Sequence, residues 1–225
     1  MLVVESDPDR FPKIFNSDPV MKKSHLLALL LLPLTPSLLT AAEQTFNFKD
    51  PKGVNQVRFT LDAPLEAISG NASGVSGKLT IDPEKPGATK GSIVIEAKTL
   101  SVENATMKEH MLGKDWLNVA EHPTITFTLT ALSDFKMEGD KATGTAKGKF
   151  SLMGVEKEIS VPASVTLLKG KLGDRTGGKM QGDLAVLRTE FTIKRSDYGV
   201  NPKAPPDKVA NDVVVSMAIA GACPK

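Results

Sequence analysis

Cysteine is nearly absent. The single residue, Cys223, cannot close an internal disulfide, so the fold must be held by its core alone. Aromatic residues make up only 5% of the chain, with nine Phe, one Trp and one Tyr. Neither sign of charge dominates: 28 Lys and Arg face 26 Asp and Glu, and the two are interspersed. The concentrated basic face of a nucleic-acid binder is therefore missing, and no nucleic-acid partner is expected. No apolar run reaches the roughly 20 residues of a comfortable membrane helix. The run from Leu26 to Leu39 is about 14 residues long and is broken by Pro33 and Pro36. There is no Gly-x-Ser-x-Gly elbow and no His-Glu-x-x-His pair.

That apolar run sits in a recognisable layout. Met21-Lys22-Lys23 is basic, the apolar stretch follows, and Thr40-Ala41-Ala42 is small. Residues 21–42 read as a secretory signal peptide with cleavage after Ala42, and a retained amino-terminal anchor is the alternative. No Cys follows the run, so a lipid-anchored lipoprotein is not supported. Residues 1–20 carry Glu5, Asp7, Asp9 and Asp18 ahead of the basic segment, which suits no signal n-region. They read as a start-site artefact or a disordered leader, with translation beginning at Met21. The four basic and four acidic residues of 1–42 cancel, so 43–225 keep the net charge of +2. The expected destination is the periplasm or the cell exterior.

From Thr45 onward apolar and polar residues alternate with period two, the mark of strands with one wet face and one apolar face. Phe46 and Phe48, then Phe59 and Leu61, then Leu79, then Ile93 and Ile95 fall on such faces. So do Ile125, Phe127, Leu129 and Ala131 in a later strand, with Thr124, Thr126, Thr128 and Thr130 opposite. Gly139-Asp140 and Met153-Gly154 mark hairpins. Residues 169–183, rich in Gly and Lys, read as a solvated loop. One helical interruption is predicted near 104–121, with Asn104 as N-cap of Ala105 to Leu112, Gly113 as stop, and Asp115 capping a second turn. Eight to ten strands in a single all-β domain result, as a sandwich or a closed barrel.

The strand from Ala142 to Leu152 favours the barrel. One face is Ala142, Gly144, Ala146, Gly148, Phe150 and Leu152, nearly bare over half its length. A sandwich core must be filled to crystal-like density. A barrel of about eight strands with small interior side chains has room for a ligand. The alternative is that these glycines mark bends and bulges.

His110, Asp115 and His122 are the candidates for chemistry, as a general base with a carboxylate or as a zinc set. Their spacing matches no compact ligand motif. The structural alternative is that His110 closes one helical turn and His122 caps the next before Pro123. Trp116 and Leu117 suit a hydrophobic plug. Arg195 and Asp197 are placed to pair at the surface, where such a pair contributes little. Tyr198, the only tyrosine, either faces a ligand head group or bonds the backbone.

Three motifs resemble a known family. His110-Met111, Asp115-Trp116-Leu117-Asn118 and His122-Pro123-Thr124-Ile125-Thr126-Phe127 resemble the central signature of the YceI-like family. Gly148-Lys149-Phe150-Ser151-Leu152-Met153-Gly154-Val155 resembles its Gly-x-Leu-Thr-x-x-Gly-Val element, and Arg195-Ser196-Asp197-Tyr198-Gly199-Val200 its Arg-Ser-Asp-Phe-Gly element. Trp116-Leu117 stands where Phe-Phe is usual, His122 where Tyr is common, and Asp62-Ala63-Pro64 where a His is often found. The resemblance implies that 43–225 form a lipocalin-like antiparallel barrel, binding rather than catalytic. The implied ligand is a long amphiphile, a polyisoprenoid or an isoprenoid quinone-like lipid, with its tail inside.

On this reading Phe59, Leu61, Leu79, Ile93, Ile95, Phe127, Leu129, Phe150 and Phe191 line the interior, and Met111, Trp116 and Leu117 close one end. No catalytic residue, metal or cofactor is assigned. Transient membrane contact and a homodimer are further expectations. An enzyme using His110 or His122 on a lipid, and a structural domain with a filled core, are the competing readings.

Overall fold

The computed structural model describes residues 43–225 apart from Pro83. The expected leader and signal peptide, 1–20 and 21–42, lie outside the described residues. Eleven strands form one antiparallel sheet closed on itself by a pairing between its first and last members. In chain order they are β1 (Gln44–Asn47), β2 (Gln56–Asp62), β3 (Ala67–Ala72), β4 (Val75–Ile81), β5 (Lys90–Glu96) and β6 (Leu100–Val102), followed by helix α1 (Ala105–Leu112). Then come β7 (Thr124–Glu138), β8 (Lys141–Leu152), β9 (Val155–Leu168), the short helix α2 (Leu172–Thr176), β10 (Gly182–Lys194) and β11 (Asp212–Pro224).

Eleven strands fill eight positions round an up-and-down barrel, because three positions are shared. β1 and β2 follow one another along β11, pairing at Asn47 with Ala222 and at Gln56 with Ala218. The loop between them leaves the wall, and Asn55 fills the gap. Its amide donates to Phe48 O at 3.0 Å and to Ala220 O at 2.9 Å, and its carbonyl accepts from Ala220 N at 2.9 Å. A buried side chain thus completes the hydrogen-bond ladder where backbone is missing.

β3 and β4 are one line of chain kinked at Ser73-Gly74, paired with β5 above the kink and β6 below it. A Cβ at Gly74 would lie 2.7 Å from Thr99 and 2.8 Å from Glu96, so only glycine fits the kink. Full closure leaves few unpaired edges, which suits an antiparallel sheet in water.

α1 forms where the sequence predicts it. Asn104 caps it by accepting from Met107 N at 2.9 Å, and Gly113 N ends it on the carbonyls of Glu109 and His110. The following turns run through Asn118, held at φ 41°, with Asn118 O accepting from His122 N. The Asp115 side chain caps nothing among the described residues.

Two expectations change. The 169–183 segment is not a plain loop: α2 packs against β10 and β11 with Leu172 1% exposed, and Asp183 is buried within β10. In β7 the alternation breaks after Leu129. A bulge at Thr130 turns Ala131 outward and Leu132 inward opposite Ala146. A second irregularity between Ser133 and Lys136, with Asp134 at φ 53°, brings Met137 opposite Ala142.

Candidate ligand cavity

The barrel interior divides into a filled flank and an open lumen. On the flank, Phe46 and Phe48 are fully buried and Ile219 is 1% exposed, packed with Val57, Val75, Ile81 and Ala185. Beside it runs a cavity of about 380 Å³, within the roughly 300–1,000 Å³ typical of ligand sites. Its wall is almost wholly apolar. All twelve residues assigned to it from the sequence are there. Phe59, Leu61, Leu79, Ile93, Ile95, Phe127, Leu129, Phe150 and Phe191 come from the strands, and Met111, Trp116 and Leu117 from the helical insert.

The residues assigned from the sequence omit most of the far wall, although Val161, Ala163, Val165 and Leu167 alternate with period two in β9. Val161, Ala163, Val165 and Leu167 of β9, Leu187 and Ile193 of β10, and Val213, Val215 and Met217 of β11 also line the lumen. In β10 the run from Leu184 to Leu187 is apolar on both faces, so its phase is concealed.

The bare strand faces have a specific use. A Cβ at Gly148 would lie 2.5 Å from Phe127 Cζ, and one at Gly70 would lie 2.2 Å from Phe59 Cζ. Each glycine lets a neighbouring strand's phenyl ring lie flat against the wall. The rings thereby contribute apolar surface without filling the lumen, as a ring standing upright would. Ala142 and Ala146 remain uncovered and face the cavity directly.

One end is sealed around Arg195. This side chain is not a surface partner of Asp197: it is 4% exposed, and Asp197 pairs with Lys157 at 3.3 Å. Its guanidinium donates to five backbone carbonyls, those of Ala210, Val200, Asn201, Ala204 and Val209. Five N–H groups meet five acceptors, so the charge is solvated by backbone in place of water. Burial pulls its pKa below the ordinary arginine value, and a guanidinium stays protonated nonetheless.

The loop 199–211 is gathered round this one residue and becomes the floor. Trp116 stacks above, its ring centre 6.0 Å from Arg195 Cζ, a cation–π distance. Sequence phase does carry this position, because Leu187, Thr189, Phe191 and Ile193 share the inward face of β10 and Arg195, just past its end, continues the alternation.

Tyr198 is 2% exposed and packs edge-on to Phe150, with ring centres 5.4 Å apart. Burial, and the negative charge of Asp197, raise its pKa above the ordinary 10.0. It supports the floor; the lumen wall does not include it. His110 is exposed on α1 at the cavity's edge, and its carbonyl closes the helix. His122 lies against the β8–β9 turn, where a Cβ at Gly154 would sit 3.2 Å from its Cε1. Neither imidazole makes a hydrogen bond or ion pair among the described residues, and no group of three or more His, Cys, Asp or Glu placed to hold a metal occurs among them.

Comparison with known proteins agrees with this architecture. The sequence profile of the YceI-like domain matches residues 42–220. Protein YceI of Salmonella arizonae is 29% identical over 150 residues, 67% of this chain and 72% of that protein. BcnA of Burkholderia cenocepacia superposes with a TM-score of 0.59 at 20% identity, over 74% of this chain and 95% of that one. A polyisoprenoid-binding domain from Saccharophagus degradans superposes with a TM-score of 0.57 at 10% identity, over 81% of this chain and 100% of that one.

Proposed function

The chain belongs to the YceI-like family, and from that premise we propose that it is an exported carrier of a long amphiphilic lipid. It holds the tail in the barrel lumen without reacting with it. One observation carries the reading: an apolar cavity flanked by a fully packed core, with glycines placed so that phenyl rings lie flat and leave the lumen open.

A polyisoprenoid or isoprenoid quinone-like tail suits such a wall, and the Saccharophagus degradans domain of the same fold is described as binding polyisoprenoids. Burial of each methylene or its equivalent stabilises the complex by about 0.8 kcal/mol. Ordering a flexible tail, and association itself, offset much of the sum. Selectivity among apolar tails is therefore modest. The basic, apolar and small-residue layout of 21–42 supports export to the periplasm or beyond.

Native mass spectrometry and organic extraction of protein purified from its own host test the reading. A co-purifying long-chain amphiphile is expected. Protein that arrives without one and refuses fluorescent prenol in solution would overturn the proposal.

A further inference from the structure

We propose that the open end of the barrel, formed by the tip of the β7–β8 hairpin, docks on a lipid bilayer. Phe135 and Met137 enter its interfacial layer. The inference rests on the lumen being a lipid site and names where that lipid enters.

β5 stops pairing with β7 at Leu129, opposite Gly91, while β7 continues to Glu138. Beyond that point the β7–β8 hairpin runs on past the end of β5, while β9 stays paired with β10 as far as Leu168 opposite Leu184. Both irregularities of β7 fall in the overhang, and they return Leu132, Phe135 and Met137 to the cavity side. Pro86 and Thr89, in the β4–β5 connection, complete the rim.

Phe135 is 38% exposed and Met137 49% exposed, although both line the cavity. The apolar wall therefore runs without a break from the lumen into solvent. At the other end Arg195, Tyr198 and Val200 are all under a tenth exposed, and the exposed residues that line the cavity there, Glu66 and His110, are polar, so no exposed apolar wall runs out into solvent at that end. A long tail leaving through the open end crosses water unless an apolar phase meets the rim, and the phase in which such amphiphiles reside is a bilayer.

Charge at the tip is mixed, with Asp134, Glu138 and Asp140 beside Lys136 and Lys141. Attraction to anionic lipid therefore does not drive the contact, and burial of the two apolar side chains does. The free β7 edge is an unsuitable seat for a second copy, because the two irregularities break the ladder that edge pairing needs.

The test uses tryptophan as a depth probe. Phe135→Trp and, separately, Leu65→Trp are made in a Trp116→Phe background. Leu65 is 66% exposed in the β2–β3 turn and its N–H bonds to Asp207 in the floor loop. Vesicles of brominated phosphatidylcholine should quench the indole at 135 and spare the one at 65, equally at low and high salt. No quenching at 135, or equal quenching at both, would overturn the docking surface.

Hydrogen exchange on the unaltered protein gives the same answer without substitutions, as added protection of residues 132–141 with vesicles. Protection of that edge without vesicles, in a protein of dimer mass, would assign it to a second copy instead. Prenol uptake from ethanol is measured in parallel. Quenching without uptake keeps the docking surface and sinks the lumen reading; uptake without quenching sinks the docking surface alone.

Discussion

The two ends of this barrel are built on opposite principles. At the sealed end a buried cation gathers five carbonyls, and a loop of irregular chain becomes a rigid floor. At the open end a hairpin whose first strand is twice irregular carries apolar side chains out into water. Polar groups thus close one end by satisfying one another, and apolar groups hold the other end open by lacking a partner. A wall between them keeps its rings flat and the lumen open. The packed flank of Phe46, Phe48 and Ile219 shows that the same chain can fill space where filling is wanted.

The largest effect expected is at the sealed end. Arg195→Met keeps length and removes all five donors, leaving buried carbonyls unsatisfied at a cost of about 3 kcal/mol or more. Chemical denaturation should show that loss, and Arg195→Lys, with three donors, should recover only part of it. Stability unchanged by Arg195→Met would mean that the floor holds itself and the contrast between the ends is false.

Next comes the wall. Gly148→Val pushes the Phe127 ring off its seat and crowds the neighbouring strand, because the added Cβ would stand 2.5 Å from Cζ and 2.5 Å from Thr128 O. A loss of about 1–3 kcal/mol and weaker prenol uptake are expected together. Intact uptake would show that the flat ring is not what keeps the lumen open.

The smallest effect is electrostatic. The Asp183 carboxyl is held below its ordinary 3.8, first by the Gly170 N–H and then by Gln44 and Lys225. A carboxylate lowered by folding stabilises the protein above its unfolded pKa, and that contribution is lost as pH falls through the folded value. Between about pH 5 and pH 2, Asp183→Asn should therefore lose less of its own stability than the native protein loses. Parallel acid-unfolding curves for the two would contradict this.

Much of the barrel was legible because strands repeat with period two and α1 carries its own cap and stop. The nine wall residues named on strands follow from that period, while most of the wall given by β9, β10 and β11 was not named. The shared positions in the wall were not legible: Asn55 completes the ladder between β1 and β2 by bonding Phe48 and also Ala220, far along the chain. The bulge at Thr130 was hidden because Ala131 and Leu132 are both apolar and either could face inward. Arg195 was in plain view on the inward phase of β10, but a charged side chain in a turn is ordinarily a surface residue. Its partners are backbone carbonyls, which leave no trace in side-chain chemistry.

The central claim is that the lumen itself takes the lipid tail. Ala146, 6% exposed and on the lumen wall, allows a direct test. Titration of a fluorescent long-chain prenol should give tight uptake by the native protein and at least roughly ten-fold weaker uptake by Ala146→Phe. The fold of the variant would be checked by circular dichroism. A ten-fold loss corresponds to about 1.4 kcal/mol. Equal affinity in a folded Ala146→Phe protein would place the tail elsewhere and contradict the account.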